Sequence, residues 1–208
     1  MACVIGIDLG TSSVRVVALD ASGETVPLQR REYPIRQPAA GFAEQSPEEW
    51  WNVTCDCLRY ATETVAGRGD RVAAVGLSGQ MHGLVLLDAG GNPLRDAIIW
   101  PDARSAEICA EWDRSPGPAA VSAITGLPIA TGFLAPSLAW VKRNEPDTYR
   151  RASGVVLPKD YIRFRLTGSL ARMTRMRPAR SSSTSRTDDG RRSSLGSSGS
   201  TPLSCPQC

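Results

Sequence analysis

Apolar and polar positions alternate with a period of two at the start of the chain, where Val4, Ile5, Gly6, Ile7 and Asp8 predict a strand. Small residues over 9–13 predict a turn, and residues 14–19 a second strand returning beside the first as a hairpin. Residues 20–23 read as another tight turn and 24–33 as a third strand, so a three-stranded meander is expected. The period then changes. Ser46, Pro47, Glu48 and Glu49 supply an N-cap, a proline at the first helical position and an acid three residues after the cap. Trp50, Val53, Cys57 and Tyr60 or Ala61 follow at helical spacing, predicting a helix to about residue 66 that packs one apolar face on the sheet.

Residues 72–77, 84–87 and 97–100 are further strand candidates, 102–112 and 136–142 helical, 155–157 a short strand, and 158–166 a helix opening on proline. A meander followed by a helix and returning strands is an α/β arrangement. It lacks the regular βαβ alternation of a dinucleotide-binding fold, and no internal repeat is visible.

Composition changes the picture at one end. The net charge of +3 is uneven: seven arginines against Asp188 and Asp189 lie after residue 170, leaving 17 basic and 19 acidic residues before it. The segment 171–208 has no Val, Ile, Phe, Trp or Tyr, so it is expected to be a disordered Ser/Arg-rich tail. An Arg/Ser-rich segment can bind RNA, but this one has no aromatic residue for base stacking and no repeated basic unit. No run of roughly 20 apolar residues is present, and residues 1–10 lack a basic n-region and cleavage site, which together predict a cytoplasmic protein. Of the cysteines Cys3, Cys55, Cys57, Cys109, Cys205 and Cys208, only the last two have a metal or redox spacing, so free thiols are expected.

Three short segments carry candidate chemistry. Asp8, Gly10, Thr11, Ser12 and Ser13 put an acid at the end of an apolar strand, a glycine where a phosphate can reach the backbone, and three hydroxyls in the turn. Turn N–H groups and hydroxyls cradle phosphate oxygens, and an aspartate holds Mg²⁺. The alternative is a plain hairpin turn. In Ser78-Gly79-Gln80-Met81-His82-Gly83, two glycines bracket an amide, a thioether and the only imidazole of the chain. Gln80 and His82 suit sugar hydroxyls and Met81 an apolar face, against a hairpin whose histidine is satisfied by backbone. Trp100, Asp102 and Arg104 offer polar groups beside an aromatic wall, or a capped helix start with a solvated arginine.

Together, I-G-I-D-L-G-T-S-S at 5–13, G-Q-M-H-G at 79–83, W-P-D-A-R at 100–104, Thr125-Gly126 and L-P-K-D-Y-I-R-F-R-L-T-G at 157–168 resemble the FGGY carbohydrate kinases, most of all the xylulokinase branch. The resemblance spans about the first 170 residues in order. It implies an α/β fold of the actin-like ATPase (ribonuclease H-like) kind, here an incomplete N-terminal domain over 1–170. It also implies ATP-dependent phosphorylation of D-xylulose to D-xylulose 5-phosphate, with ATP and Mg²⁺ as cofactors. By the same resemblance Asp8 helps to place the magnesium ion, and Gly10, Thr11 and Ser12 line the phosphate turn. Gln80, Met81 and His82 contact the ketose, with Asp102 and Arg104 on the sugar side. The implied partner is a small-molecule ketose, with neither nucleic acid nor membrane; the oligomeric state is left open.

Family members are more than twice as long, and their general-base aspartate lies in a part with no counterpart here. After Gly168 the pattern breaks into Ser169, Leu170, Ala171, Arg172 and the biased tail, as a truncated or frameshifted gene would read. The chain by itself is therefore expected to have little or no kinase activity, the alternative being a non-catalytic sugar-binding module.

Overall fold

The computed structural model describes residues 2–170, except for the side chains of 26–28. The expected tail, Cys205 and Cys208 lie outside the described residues. Strand β1 (Ala2–Leu9) pairs antiparallel with β2 (Ser13–Leu19), which pairs antiparallel with β3 (Thr25–Glu32). This is the expected meander. Among the described residues the first sheet also takes in β5 (Arg71–Gly79), parallel to β1, giving the order β3-β2-β1-β5.

A crossover between β3 and β5 is supplied by α1 (Pro47–Gly67). Its start follows the sequence signals: the Ser46 hydroxyl accepts from the Glu49 N–H at 3.3 Å, with proline in the first turn. Trp50, Cys57, Ala61 and Val65 turn one stripe of α1 onto the alternate residues Ile5, Ile7, Leu9, Val14 and Val16, and this stripe and sheet face form the main core. The other face of the same sheet is open. Val4, Val17 and Leu19 are 43%, 36% and 44% exposed there, although the period of two that buries their neighbours is intact.

Two small sheets build the rest. One pairs β4 (Glu44–Gln45) with β7 (Ala97–Ile98); the other pairs β6 (Val85–Leu87) with β8 (Gly154–Val156). The helices α2 (Ala106–Arg114), α3 (Pro118–Thr125), α4 (Leu134–Asn144) and α5 (Pro146–Arg151) lie between β7 and β8, and α6 (Pro158–Thr167) follows. A second core gathers Leu84, Leu86, Ile98 and Val155 beneath Val141 of α4.

The structure corrects several expectations. The strands expected over 72–77 and 84–87 form, but not as the hairpin that was the alternative reading of the turn between them: β5 joins β1, and β6 joins the distant β8. The helix expected from 102 begins at Ala106, because Asp102 is held in a turn, its N–H bonded to the Ile99 carbonyl. The strand expected over 97–100 stops at Ile98. Three elements, β4, α3 and α5, carried no signal that separated them from loop. Cys3, Cys57 and Cys109 are free thiols, as expected. Among the described residues no helix is long and apolar enough to cross a membrane.

Candidate functional site

Parallel pairing of β1 with β5 decides where the chemistry lies. The register sets Asp8 beside Ser78 and Leu9 beside Gly79, so both strands end together and their following turns leave the sheet side by side. Carboxyl ends of neighbouring parallel strands are where α/β sheets open a crevice. Here the crevice is a cleft of about 400 Å³ lined on one side by Asp8, Gly10 and Thr11 and on the other by Gln80, Met81 and His82, with Trp100 closing it. Two motifs 70 residues apart thus share one cleft.

The first turn is arranged so that its carbonyls point away from any anion. The Gly10 carbonyl accepts from the Tyr33 hydroxyl, the Thr11 carbonyl from Gln45 Nε2 at 2.7 Å, and the Ser12 carbonyl from the Tyr33 N–H at 3.2 Å. Burial, and after it the negative charge of Asp8, push the Tyr33 phenol well up from its usual range and keep it a neutral donor. Gly10 spends its own N–H on the Ser13 carbonyl. Among the described residues, no hydrogen bond engages the Thr11 or Ser12 N–H, and the Ser12 side chain is exposed. The turn therefore offers unpaired donors beside one carboxylate, the arrangement that backbone anion sites use.

Gln45 links the two turns. Nearly fully buried at 1% exposure, it donates to the Thr11 carbonyl and accepts from Trp50 Nε1 at 3.2 Å and Gln80 Nε2 at 3.1 Å. Gln80 is also bonded through its backbone N–H to the Leu9 carbonyl at 2.7 Å, while its Oε1 is buried without a partner among the described residues. Trp100, half exposed, donates from Nε1 to Thr11 Oγ1 at 2.8 Å and so ties the closing wall to the first turn. Met81 stands out at the rim, 74% exposed. His82 has φ +59°, a conformation that non-glycine residues adopt rarely and that clusters at functional sites. Its imidazole has no hydrogen bond among the described residues, so the backbone-satisfied histidine is not what the structure shows; instead it stacks on Phe133.

Asp102 and Arg104 are not brought into the cleft lining. Asp102, 1% exposed, accepts from the Ala43 N–H at 2.7 Å and from the Arg104 N–H and Nε at 2.9 Å. The Arg104 guanidinium pairs with Glu44 at 2.7 Å and stacks on the Phe42 ring at 3.9 Å. Trp140 faces the same guanidinium at 4.9 Å, so Arg104 is not solvated. This buried ion network fastens the loop before α2 to β4, one residue from Gln45. Among the described residues Asp8 is the only carboxylate lining the cleft, and no group of three acids, histidines or cysteines is placed to hold a metal alone.

Sequence reasoning missed Gln45, Tyr33 and Phe133. None stands in a glycine-rich turn, and each acts on cleft residues from another element, so neither spacing nor composition marks it.

The chain is similar to known sugar kinases. The family model for the FGGY family of carbohydrate kinases, N-terminal domain, matches residues 3–183. The xylulose kinase of Escherichia coli is 42% identical over 167 residues, 80% of this chain and 34% of its own length. That of Bacillus subtilis is 38% identical over 168 residues, again 34% of its own length. Among solved structures, a xylulose kinase of Rhodospirillum rubrum superposes with a TM-score of 0.76 at 29% identity, over 80% of this chain and 35% of that one. A xyloylose kinase of Brucella ovis gives a TM-score of 0.73 at 40% identity, over 79% of this chain and 33% of that one. The fold is thus the actin-like ATPase fold of these sugar kinases, and the chain spans about a third of the length of the relatives it matches.

Proposed function

We infer, since the chain belongs to the FGGY family of carbohydrate kinases, that its cleft takes a ketose of the D-xylulose kind next to the phosphates of ATP. One observation carries this reading: the turn after β1 and the turn after β5 line the same cleft. The unpaired Thr11 and Ser12 N–H groups and the Ser12 hydroxyl suit phosphate oxygens, each charge-assisted bond contributing about 1.5–3 kcal/mol. The imidazole nitrogens of His82 suit sugar hydroxyls, with Gln80 lining the same wall and Met81 against the carbon chain. Asp102 and Arg104, expected on the sugar side, act at one remove by fixing the strand that carries Gln45.

A single carboxylate beside phosphate donors fits Mg²⁺, which is ordinarily held by one or two carboxylates together with substrate phosphates. Asp8 is that carboxylate, and the ion when bound supplies charge neutralisation at the phosphates. The family reaction joins a sugar hydroxyl oxygen to the γ-phosphorus of ATP and breaks its bond to the β-phosphate oxygen. The hydroxyl proton then needs a second carboxylate, and among the described residues none lines the cleft. A general base contributes about 10²–10⁴-fold. The described residues accordingly make a ketose-binding half-site, for which little or no turnover is expected. The reading puts it in the cytoplasm, where ATP is available.

Titrating D-xylulose while following tryptophan emission tests this, because Trp100 closes the cleft. A saturable change that His82→Ala weakens is expected, with no more than background ADP release in a coupled assay. No saturable change would remove the ketose reading, and near-normal turnover would remove the half-site reading.

A further inference from the structure

The loop between α3 and α4 braces the cleft from outside. Gly132, at φ +72°, lies against the Trp100 backbone so closely that a Cβ on it would sit 1.9 Å from the Trp100 carbonyl oxygen, and only glycine allows that approach. Phe133 follows in extended conformation immediately before α4. Its ring stacks on His82 with centroids 3.7 Å apart and planes 14° from parallel. Two consecutive residues thus hold one wall by its backbone and the other by its ring. Among the described residues this stack is the one ring contact of the imidazole, which makes no hydrogen bond, and the His82 backbone is left-handed.

We propose that Phe133 is a positioning residue of the ketose site: it fixes the plane of the His82 ring, so that the imidazole offers its nitrogen edge to sugar hydroxyls while one face is covered. The inference rests on the ketose reading given above. An imidazole free to rotate would lose ordering entropy on binding, whereas a stacked one has lost it already. The brace also separates apolar from polar duty within the cleft. Phe133 takes up the face of the ring and leaves both nitrogens unspent.

His82 is the only histidine, so its ring protons give one unambiguous set of proton resonances. In the full chain the account expects these upfield of a solvent-exposed histidine, with cross-relaxation to the Phe133 ring. Phe133→Leu is expected to abolish both and to weaken D-xylulose binding on the order of fivefold, the scale of an aromatic pair. Phe133→Tyr is expected to keep the upfield shift and wild-type affinity. Wild-type resonances at free-imidazole positions without cross-relaxation overturn the proposal, and need no variant to fold. Phe133→Leu that melts as a folded protein and binds D-xylulose as tightly as wild type also overturns it, with the ketose site left standing. If the wild type fails to bind D-xylulose, the ketose reading and the role proposed here both fall, and the cross-relaxation shows separately whether the stack exists.

Discussion

Replacing Gln45 with leucine keeps the buried volume and removes one amide that serves both turns of the cleft. Four groups lose a partner: the Trp50 indole N–H, the Gln80 side-chain N–H, and the Thr11 and Pro34 carbonyls. Trp50 is fully buried and Gln80 8% exposed, so neither donor gains full contact with water. An orphaned buried group costs about 1–3 kcal/mol. The half-buried Thr11 carbonyl and the carbonyl of exposed Pro34 can be rehydrated and are discounted, which leaves a loss of about 3 kcal/mol. For a domain of this size 1 kcal/mol moves Tm by about 2–4 °C, so Gln45→Leu is expected to melt about 6–12 °C below wild type. Far-UV circular dichroism and tryptophan emission should report the same transition. Freed from Gln45, the Thr11 carbonyl can turn toward the cleft and oppose an anion, so nucleotide affinity should fall as well. A variant that melts within about 2 °C of wild type would refute the bookkeeping, because an amide with those partners cannot be lost at no cost if the bonds exist.

Two further expectations concern the whole fold. Leu19→Lys, on the open sheet face opposite Val4, should reduce binding of a hydrophobic dye and self-association while changing stability by no more than about 0.5 kcal/mol; unchanged dye binding would mean that this face is covered in solution. Acid should destabilise the fold through carboxylates held below their usual range. Asp20 is lowered chiefly by its Ser22 hydroxyl bond, Asp88 by the Asn92 N–H, and Glu111 by Arg143. At Glu48, partial burial raises the pKa but the bonds from Arg165 and Tyr161 outweigh it. Such groups stabilise fully above about pH 4.5 and lose that contribution as pH falls through their lowered values, so Tm should be flat from about pH 6 to 8 and fall below about pH 4. A Tm unchanged to about pH 3 would contradict this.

Much of the frame was legible because local rules agreed with the tertiary outcome. The meander followed from alternation and turns, and α1 from its cap and stripe. Pairing across distance was not legible. Residues 72–79 alternate no more clearly than a hairpin strand would, and only the structure shows that they join β1 in parallel and bring the Gln80 turn beside Asp8. The motif residues Asp8, Gly10, Thr11, Gln80, Met81 and His82 were found because turn chemistry is written in small local spacings, and all six line the cleft. Asp102 and Arg104 came from the same kind of spacing, yet their partners Glu44, Ala43 and Phe42 are about 60 residues away in sequence and carry no local signal. Gln45 and Phe133 share that character, since each matters through what another element brings to it.

The central claim is that one cleft holds an anion at the first turn and a ketose at the second. Amide resonances of Thr11, Ser12, Gln80 and His82 followed during separate and combined additions of Mg-ADP and D-xylulose test it directly. The account predicts that nucleotide moves the Thr11 and Ser12 amides, ketose moves those of Gln80 and His82, and both sets stay shifted when the two ligands are present together. Nucleotide shifts confined to residues outside the turn after β1, or ketose shifts that leave His82 unmoved, would contradict it.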